Sequence, residues 1–167
     1  MERWWPFALT ILILVLDRAS KHLIETNVQA WDTVAVIPGL FQIIHTRNTG
    51  IAFSLFADSS SGRGNPLLVV FSVAVMILVT SLLWTACKPA SKEHWTLRAA
   101  LSLVLGGAVG NLYDRVAFGS VTDFLDFYWN GHHFPIFNVA DSAITVGAAL
   151  LLLNLWMVRR PAAPQPH

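Results

Sequence analysis

The segment GGAVGNLYDR (residues 106–115), followed by VTDF (121–124) and FNVADS (137–142), organises the predicted fold. It places two carboxylates, Asp123 and Asp141, at the ends of two long apolar segments joined by an aromatic loop. A charged side chain inside a bilayer costs about 2–3 kcal/mol or more, so acids placed there usually have a function. We therefore interpret these two acids as a candidate catalytic pair held at one face of a membrane.

The composition is that of an integral membrane protein. Of the 167 residues, 54% are hydrophobic and 13% are charged, whereas soluble domains carry about 25% charged residues. The net charge of +1 and the lack of a basic run give no reason to expect a nucleic-acid partner. The single cysteine, Cys87, excludes an intrachain disulfide and a cysteine-based zinc site.

Four apolar segments approach the length of about 20 residues that spans hydrocarbon. They lie at about residues 4–24, 67–86, 97–113 and 139–158. We therefore predict an all-α membrane bundle of four transmembrane helices that forms a single integral membrane domain. That domain covers residues 1–167 and ends in a disordered tail at 161–167.

The first apolar segment also has features of a cleaved signal peptide. Arg3 precedes a short apolar run, and VQA (28–30) imitates a cleavage site. However, charged residues occupy the region that should be small and uncharged: Asp17, Arg18, Lys21 and Glu25. We therefore expect an uncleaved anchor.

The basic residues predict the orientation. With four spans, both termini share a side with the 87–96 loop, and that side holds six basic residues against five on the other. The loop is short and its basic residues lie close to the membrane, where the positive-inside rule applies most strongly. We predict that both termini are cytoplasmic.

The first outer loop contains two strand-like runs, 33–37 and 40–44, separated by Pro38-Gly39. Proline at the first corner and glycine at the second are typical of a type II turn. A third apolar piece follows at 51–56. We expect a small sheet on the outer membrane surface.

The second outer loop, at residues 116–136, is unusually aromatic, and aromatic rings favour the headgroup level of a bilayer. Phe124, Phe127 and Tyr128 would share one face if this piece were helical. Two interpretations stay open, an interfacial anchor and a lid over the acids.

The local sequence around the two acids suits a shared site. Asp141 lies in the first turn of the fourth segment, where unpaired amides favour an anion, and Asn138 can cap that helix. Asp123 follows the third segment after a short loop containing Gly119, so an antiparallel arrangement returns both acids to one face. Carboxylates in contact share a proton, and such a pair can activate water and protonate a leaving amine. Each acid taken alone is equally well explained by a helix cap or an ion pair.

Further polar residues surround this pair in the sequence. Asn111, Asp114 and Arg115 share one end-face of the third helix. Arg115 is placed to stabilise the acids, and snorkelling or ion pairing at the membrane boundary is the commoner alternative. Asp17 and Lys21 have the i, i+4 spacing of a helix ion pair.

Two features bear on packing and turns. Asn48-Thr-Gly is typical of a tight turn, and its asparagine is also suited to bond a substrate backbone.

Small residues recur on the third and fourth segments and let helices approach closely. They are Ser102, Gly106 and Gly110 on the third, and Ala140, Ala143 and Gly147 on the fourth.

Five blocks in this order resemble those of the lipoprotein signal peptidases, the bacterial type II signal peptidases, which are aspartic intramembrane proteases. The blocks are DRASK (17–21), NTGIAF (48–53), GGAVGNLYDR (106–115), VTDF (121–124) and FNVADS (137–142). The resemblance spans nearly the whole chain. Small departures from the family pattern occur at Arg18, Ile51 and Thr122, and none of them touches the acids.

The resemblance implies an endopeptidase that removes the signal peptide of diacylglyceryl-modified prolipoproteins, cleaving before the lipidated cysteine. It implies four transmembrane helices in the bacterial inner membrane, cytoplasmic termini and an active site toward the periplasmic face. It also implies a small β-sheet (cradle) in the first periplasmic loop and a short loop helix in the second. Membrane lipid and globomycin-type inhibitors are the implied partners besides the substrate, and no metal or cofactor is implied.

The family's catalytic dyad falls on Asp123 and Asp141. We predict supporting or substrate-binding roles for the polar and small residues around them. These are Asn48, Asn111, Arg115, Asn138, Asp17, Lys21, Asp114 and Ala140.

Two other classes of function stay open from composition and motifs. Acids inside a membrane also occur in small transporters and proton-conducting subunits. A metal-dependent hydrolase would use His132 and His133 with Asp126, although these residues lack regular ligand spacing. Release of a signal peptide would distinguish an enzyme from a transporter. Loss of activity with a chelator would indicate a metal-dependent hydrolase.

Overall fold

The computed structural model describes residues 4–50, 66–91 and 93–158. Over these residues the chain forms four helices and four strands. The helices are α1 (Trp5–Asn27), α2 (Pro66–Ala86), α3 (Trp95–Phe118) and α4 (Val139–Val158). The strands are β1 (Thr33–Ile37), β2 (Phe41–Asn48), β3 (Val121–Trp129) and β4 (His132–His133). The predicted apolar piece at 51–56 and the predicted tail at 161–167 lie outside the described residues.

The helix α3 is central, because it contacts α1, α2 and α4. A Cβ atom on Gly106 would overlap Ile13 and the backbone of α1, and one on Gly107 would overlap the carbonyl of Ala140 in α4. The expected close contact between α3 and α4 is therefore confirmed. It involves Gly107 of α3 and also Gly147 of the predicted stripe on α4, where a Cβ atom would overlap the carbonyl of Ala100. Gly106 of the predicted stripe on α3 faces α1 instead.

The helix α3 is longer than the predicted span at 97–113. It has 24 residues and continues to Phe118, where Gly119 adopts a left-handed conformation with φ 74°. The amide of Gly119 bonds to the carbonyl of Arg115, which ends the helix in the manner typical of glycine. The polar residues Asn111 and Asp114 therefore lie on the last turns of one continuous helix.

The outer surface of the bundle is apolar. Large side chains such as Ile11, Leu78 and Leu152 are more than half exposed, although hydrophobic side chains of this size favour burial in a soluble protein. Among the described residues, Pro66–Ala86 and Val139–Met157 are the helices long and apolar enough to cross a membrane. The other two helices carry charged residues, and three of these, Asp17, Lys21 and Asp114, are fully buried.

The strands form one antiparallel sheet in the order β1-β2-β3-β4. The two strands predicted in the first loop are confirmed as β1 and β2. The turn between them contains Gly39 with φ 81°, the positive value that the Pro38-Gly39 pair predicted. In the second pairing Thr46 of β2 lies opposite Asp123 of β3, so the sheet carries one of the two acids.

The prediction of a short helix in the second loop is wrong. Residues 119–138 contain β3 and β4 but no helix. The strand β3 pairs with the free edge of β2. This pairing satisfies backbone N–H and C=O groups of β2 that a helix in the loop would leave unpaired. Asn130 and Gly131 join β3 to β4 with φ 49° and 76°. These values are those of a type I′ hairpin turn, for which Asn-Gly is the strongest short-range signal.

Candidate active site

Asp123 occupies the third position of β3, where the sheet meets the ends of α3 and α4. Its side chain is buried, with 3% of the residue exposed. One carboxylate oxygen, Oδ2, accepts a hydrogen bond from Nδ2 of Asn48 at 3.0 Å. The other, Oδ1, accepts one from Nδ2 of Asn138 at 2.7 Å. Two amide groups therefore fix the orientation of this carboxyl group.

Asp141 lies in the first turn of α4, as predicted. The cap predicted for Asn138 is present, because its Oδ1 accepts from the amide of Asp141 at 2.9 Å. In return Oδ2 of Asp141 accepts from the amide of Asn138 at 3.3 Å, which completes a reciprocal capping box. The remaining oxygen, Oδ1, accepts from Nδ2 of Asn111 at 2.7 Å.

Asn138 joins the two acids. Its side chain caps the helix that carries Asp141 and also donates to Asp123, and the residue is completely buried. Both acids line one cavity of about 850 Å³. Burial, followed by the negative charge of Asp141, raises the pKa of Asp123 to about 6. The structure thus brings the two acids to one cavity, with one of them favoured in its protonated form at mildly acidic pH.

Behind the acids lies a buried ion cluster. The predicted pair of Asp17 and Lys21 is present, with 2.8 Å between Nζ and Oδ2. Lys21 also pairs with Asp114 at 2.8 Å and donates to Oδ1 of Asn111 at 3.0 Å. The ammonium group of Lys21 thus lies between two carboxylates and one amide oxygen. Because the side chains of Lys21 and both acids are fully buried, this ion cluster is enclosed by protein.

The same cluster also contacts the start of α4. Oδ1 of Asp17 accepts from the amide of Ala140 at 2.9 Å. This bond satisfies another of the unpaired amides at the start of α4. Ala140 is completely buried, and a Cβ atom on Gly110 would overlap the Asp17 carboxylate. The helix α1 is therefore an integral part of the site.

Arg115 lines the cavity without forming an ion pair to either acid among the described residues. Its guanidinium donates to the carbonyl of Gly50 at 3.3 Å and to the carbonyl of Asn111 at 3.4 Å. Asn48 forms the predicted turn. Its Oδ1 accepts from the amide of Gly50 at 2.9 Å, and its Nδ2 donates to Asp123. Arg115 and Asn48 therefore hold the chain beside the cavity.

A family model described as Signal peptidase (SPase) II matches residues 9–157, which include every candidate site residue. The chain belongs to the signal peptidase II family. A protein named lipoprotein signal peptidase from Solibacter usitatus (strain Ellin6076) is 47% identical over 161 residues, covering 96% of each chain. One of the same name from Shewanella halifaxensis (strain HAW-EB4) is 43% identical over 152 residues, covering 91% of this chain and 85% of its own.

Solved structures agree with the membership of the signal peptidase II family. One, described as a bacterial membrane enzyme structure obtained by the in meso method at 2.3 Å resolution, has a TM-score of 0.78 at 27% identity. It covers 97% of this chain and 93% of its own. A second, described in the same way at 1.9 Å resolution, has a TM-score of 0.71 at 29% identity and covers 90% of this chain and 91% of its own. The protein is thus a membrane peptidase.

Sequence reasoning did not connect three residues with the edge of this signal peptidase II site, namely Arg18, Glu25 and Thr122. Arg18 pairs with Asp114 and lies 3.9 Å from Glu25, and its guanidinium stacks over the Tyr113 ring. Glu25 in turn accepts from Oγ1 of Thr122 at 2.6 Å. Arg18 had been singled out only as an unusual residue, and no local signal connects it with a partner 96 residues away.

The histidines singled out for a metal site are placed differently. His133 contacts Asp126 through Nδ1 at 2.8 Å. His132 is its neighbour in β4, and successive side chains of a strand point to opposite faces. In the part of the chain that the structure describes, no group of three potential metal ligands occurs. The two histidines therefore do not converge on one position.

Proposed function

We propose that the protein is an aspartic endopeptidase that removes the signal peptide from diacylglyceryl-modified prolipoproteins, cleaving before the lipidated cysteine. The observation that carries the proposal is the pair Asp123 and Asp141, which line one cavity and are joined by Asn138. Membership of the signal peptidase II family and relatives named lipoprotein signal peptidase support the substrate class.

The two acids have environments suited to different roles. Asp123, with a pKa raised to about 6 by burial and by the charge of Asp141, is the proton donor. Asp141 accepts hydrogen bonds from Asn111 and Asn138 at a helix N-terminus, an environment suited to negative charge, and is the base. Unequal environments of this kind separate acid from base in a pair of carboxyl groups.

In the first step Asp141 takes a proton from water while the water oxygen attacks the carbonyl carbon of the scissile bond. Asp123 gives its proton to the carbonyl oxygen, which produces a neutral tetrahedral diol. In the second step Asp141 returns its proton to the amine nitrogen and the C–N bond breaks. Asp123 recovers a proton from a diol hydroxyl as the new carboxylic acid forms, so both acids regain their starting states.

We further propose that residues 1–167 form one integral domain in the bacterial inner membrane. Four helices span it, both termini are cytoplasmic, and the dyad lies toward the periplasmic face. The apolar outer faces of the helices support a position within a membrane. The cavity reaches Ile144 and Thr145 on α4, which supports lateral entry of the acyl chains from membrane lipid. Globomycin-type inhibitors are expected to occupy the same cavity.

The test is cleavage of a diacylglyceryl-modified prolipoprotein peptide by purified protein. Asp123→Asn and Asp141→Asn are each expected to lower kcat by about 10²–10⁴-fold, the contribution of a general acid–base group. The matched control is Asp32→Asn, the same change at an exposed acid, which is expected to retain full activity. Retained turnover in either dyad variant would refute the mechanism.

The same assay separates the alternative functions. Globomycin is expected to inhibit cleavage, and a chelator to have no effect. A transporter or proton-conducting subunit would release no signal peptide under any of these conditions. Loss of activity with a chelator would favour the metal-dependent alternative.

A further inference from the structure

Asp126 and His133 form a second polar cluster in the cavity that holds the dyad. Asp126 is buried, with 1% of the residue exposed. Its carboxylate accepts from Nε2 of Gln42 at 2.7 Å and contacts Nδ1 of His133 at 2.8 Å. A buried carboxylate of this kind is costly unless it is fully paired. The mechanism described above uses none of these three residues.

The imidazole of His133 is held in one orientation. Its ring stacks on Tyr128 with 5.2 Å between centroids and 15° between planes. The hydroxyl of Tyr128 accepts from the amide of Gly39, which fixes Tyr128 to the turn between β1 and β2. Because a carboxylate only accepts hydrogen bonds, Nδ1 carries the hydrogen that faces Asp126.

This arrangement leaves one polar atom of His133 for a ligand. In the neutral ring Nε2 is an acceptor with a free lone pair. Over residues 4–50, 66–91 and 93–158 no donor bonds to it, and the side chain is 49% exposed. The ring is therefore oriented by protein contacts that leave Nε2 open to a hydrogen-bond donor from outside the described chain.

The cavity is lined by residues of both α4 and the sheet. At the α4 end, Ile144 and Thr145 lie about a turn further along the helix from Asp141. Gln42, Asp126 and His133 line the cavity on the sheet. The apolar region of a signal peptide precedes its cleavage site. With the apolar region at the α4 end, the residues that follow the cleavage site pass over the sheet.

The distance along β3 indicates which substrate residues reach the cluster. Asp126 lies three residues beyond Asp123, and three residues of a strand cover about 10 Å. We propose that Nε2 of His133 accepts a hydrogen bond from a backbone N–H in residues two to four of the mature segment, counting the lipidated cysteine as one. His133 is then a substrate-binding residue, and Asp126 is the residue that positions it. This assignment rests on the proposed function, because it names a subsite for the same substrate.

The test pairs a protein variant with a substrate variant. Lipidated peptides are prepared in which one backbone amide of residue two, three or four is replaced by an ester, which removes the N–H with little change in shape. Wild-type protein, His133→Ala and His132→Ala are assayed on the all-amide peptide and on each ester. His132→Ala is the matched control, because it removes a neighbouring exposed imidazole of the same strand.

At one ester position the wild-type protein is expected to lose about two- to tenfold in kcat/KM, the value of a neutral hydrogen bond. His133→Ala is expected to show the same loss on the all-amide peptide and no further loss on that ester. This non-additivity is the signature of a direct contact. The loss is expected in KM, with kcat unchanged, because the bond lies away from the reacting atoms. Activity of His133→Ala equal to that of the wild-type protein on the matching ester also shows that the variant is folded.

Asp126→Asn gives an independent readout, since it disturbs the histidine without removing it. Asp126→Asn is expected to lower kcat/KM on the all-amide peptide. It is also expected to reduce the loss of kcat/KM that the critical ester causes. Additive losses in His133→Ala at all three positions, or equal behaviour of His133→Ala and His132→Ala, would overturn the subsite. If cleavage is also independent of Asp123, the proposed function falls with it. If cleavage requires Asp123, the subsite alone is refuted.

Discussion

Replacement of Asn138 separates two contacts made by one side chain. Its Oδ1 caps α4 by accepting from the amide of Asp141 at 2.9 Å, and its Nδ2 donates to Asp123 at 2.7 Å. Asn138→Ser keeps a capping oxygen but is too short to reach Asp123, whereas Asn138→Ala keeps neither. The two variants therefore share the loss of one hydrogen bond to the dyad and differ in the helix cap.

The size of the effect follows from the donor that is lost. A hydrogen bond to a charged group contributes about 1.5–3 kcal/mol, and about 1.4 kcal/mol corresponds to one pKa unit. Nδ2 of Asn138 stabilises the ionised form of Asp123, so its removal raises the pKa of Asp123 above about 6, by about one to two units. In the proposed mechanism Asp123 must be protonated, and kcat/KM falls as the pH rises through its pKa. The alkaline limb of the pH profile of kcat/KM is therefore expected to move to higher pH.

The assay is the pH dependence of kcat/KM on a lipidated peptide without titratable side chains. Wild-type protein, Asn138→Ser and Asn138→Ala are compared, and each is also unfolded to measure stability. The alkaline limb is expected to shift equally in both variants, while only Asn138→Ala loses about 1 kcal/mol of stability with the cap. An unmoved limb, or a limb that moves to lower pH, refutes the assignment of Asp123 as the proton donor.

Two further variants test the supporting structure. Lys21→Met leaves Asp17 and Asp114 buried without their common partner and is expected to cost about 3–5 kcal/mol of unfolding free energy, measured by chemical denaturation in detergent. Adding Asp17→Asn and Asp114→Asn is expected to recover part of this loss, and no recovery would contradict the pairing. Gly107→Ala is expected to lower kcat and stability, because its Cβ would overlap the backbone of Ala140. Helix propensity alone favours alanine by about 1 kcal/mol, so a stabilised and fully active variant would show that this contact is not close.

Much of the fold is encoded in local patterns. Apolar segments predicted the four helices to within a few residues, apart from the length of α3. Pro38-Gly39 predicted the β1–β2 turn, and Gly39 has the expected positive φ. The same kind of reasoning could have found the hairpin of β3 and β4, because Asn130-Gly131 is a strong type I′ signal. The family resemblance implied a short helix in that loop instead, although the free edge of β2 favours a strand.

The contacts of the site were harder to predict from the sequence where the two residues lie far apart along the chain. The acids Asp123 and Asp141 stand out because few charges occur in so apolar a chain. The capping role of Asn138 follows from its position before a helix. The link between Arg18 and Asp114 depends on how two helices are rotated against each other, which no local pattern records. Burial of Lys21 was missed for the same reason, since its spacing to Asp17 is equally good on an exposed helix face.

The most direct test of the central claim measures whether the two acids titrate as a coupled pair. Infrared difference spectroscopy of the purified protein, recorded across pH 4–8, follows the protonated carboxyl band that disappears in Asp123→Asn. The account predicts a midpoint near pH 6 in the wild-type protein, since the pKa of Asp123 is raised to about 6. It also predicts a lower midpoint in Asp141→Asn, because the charge of Asp141 contributes to that rise. A midpoint that stays unchanged in Asp141→Asn would contradict the existence of a dyad.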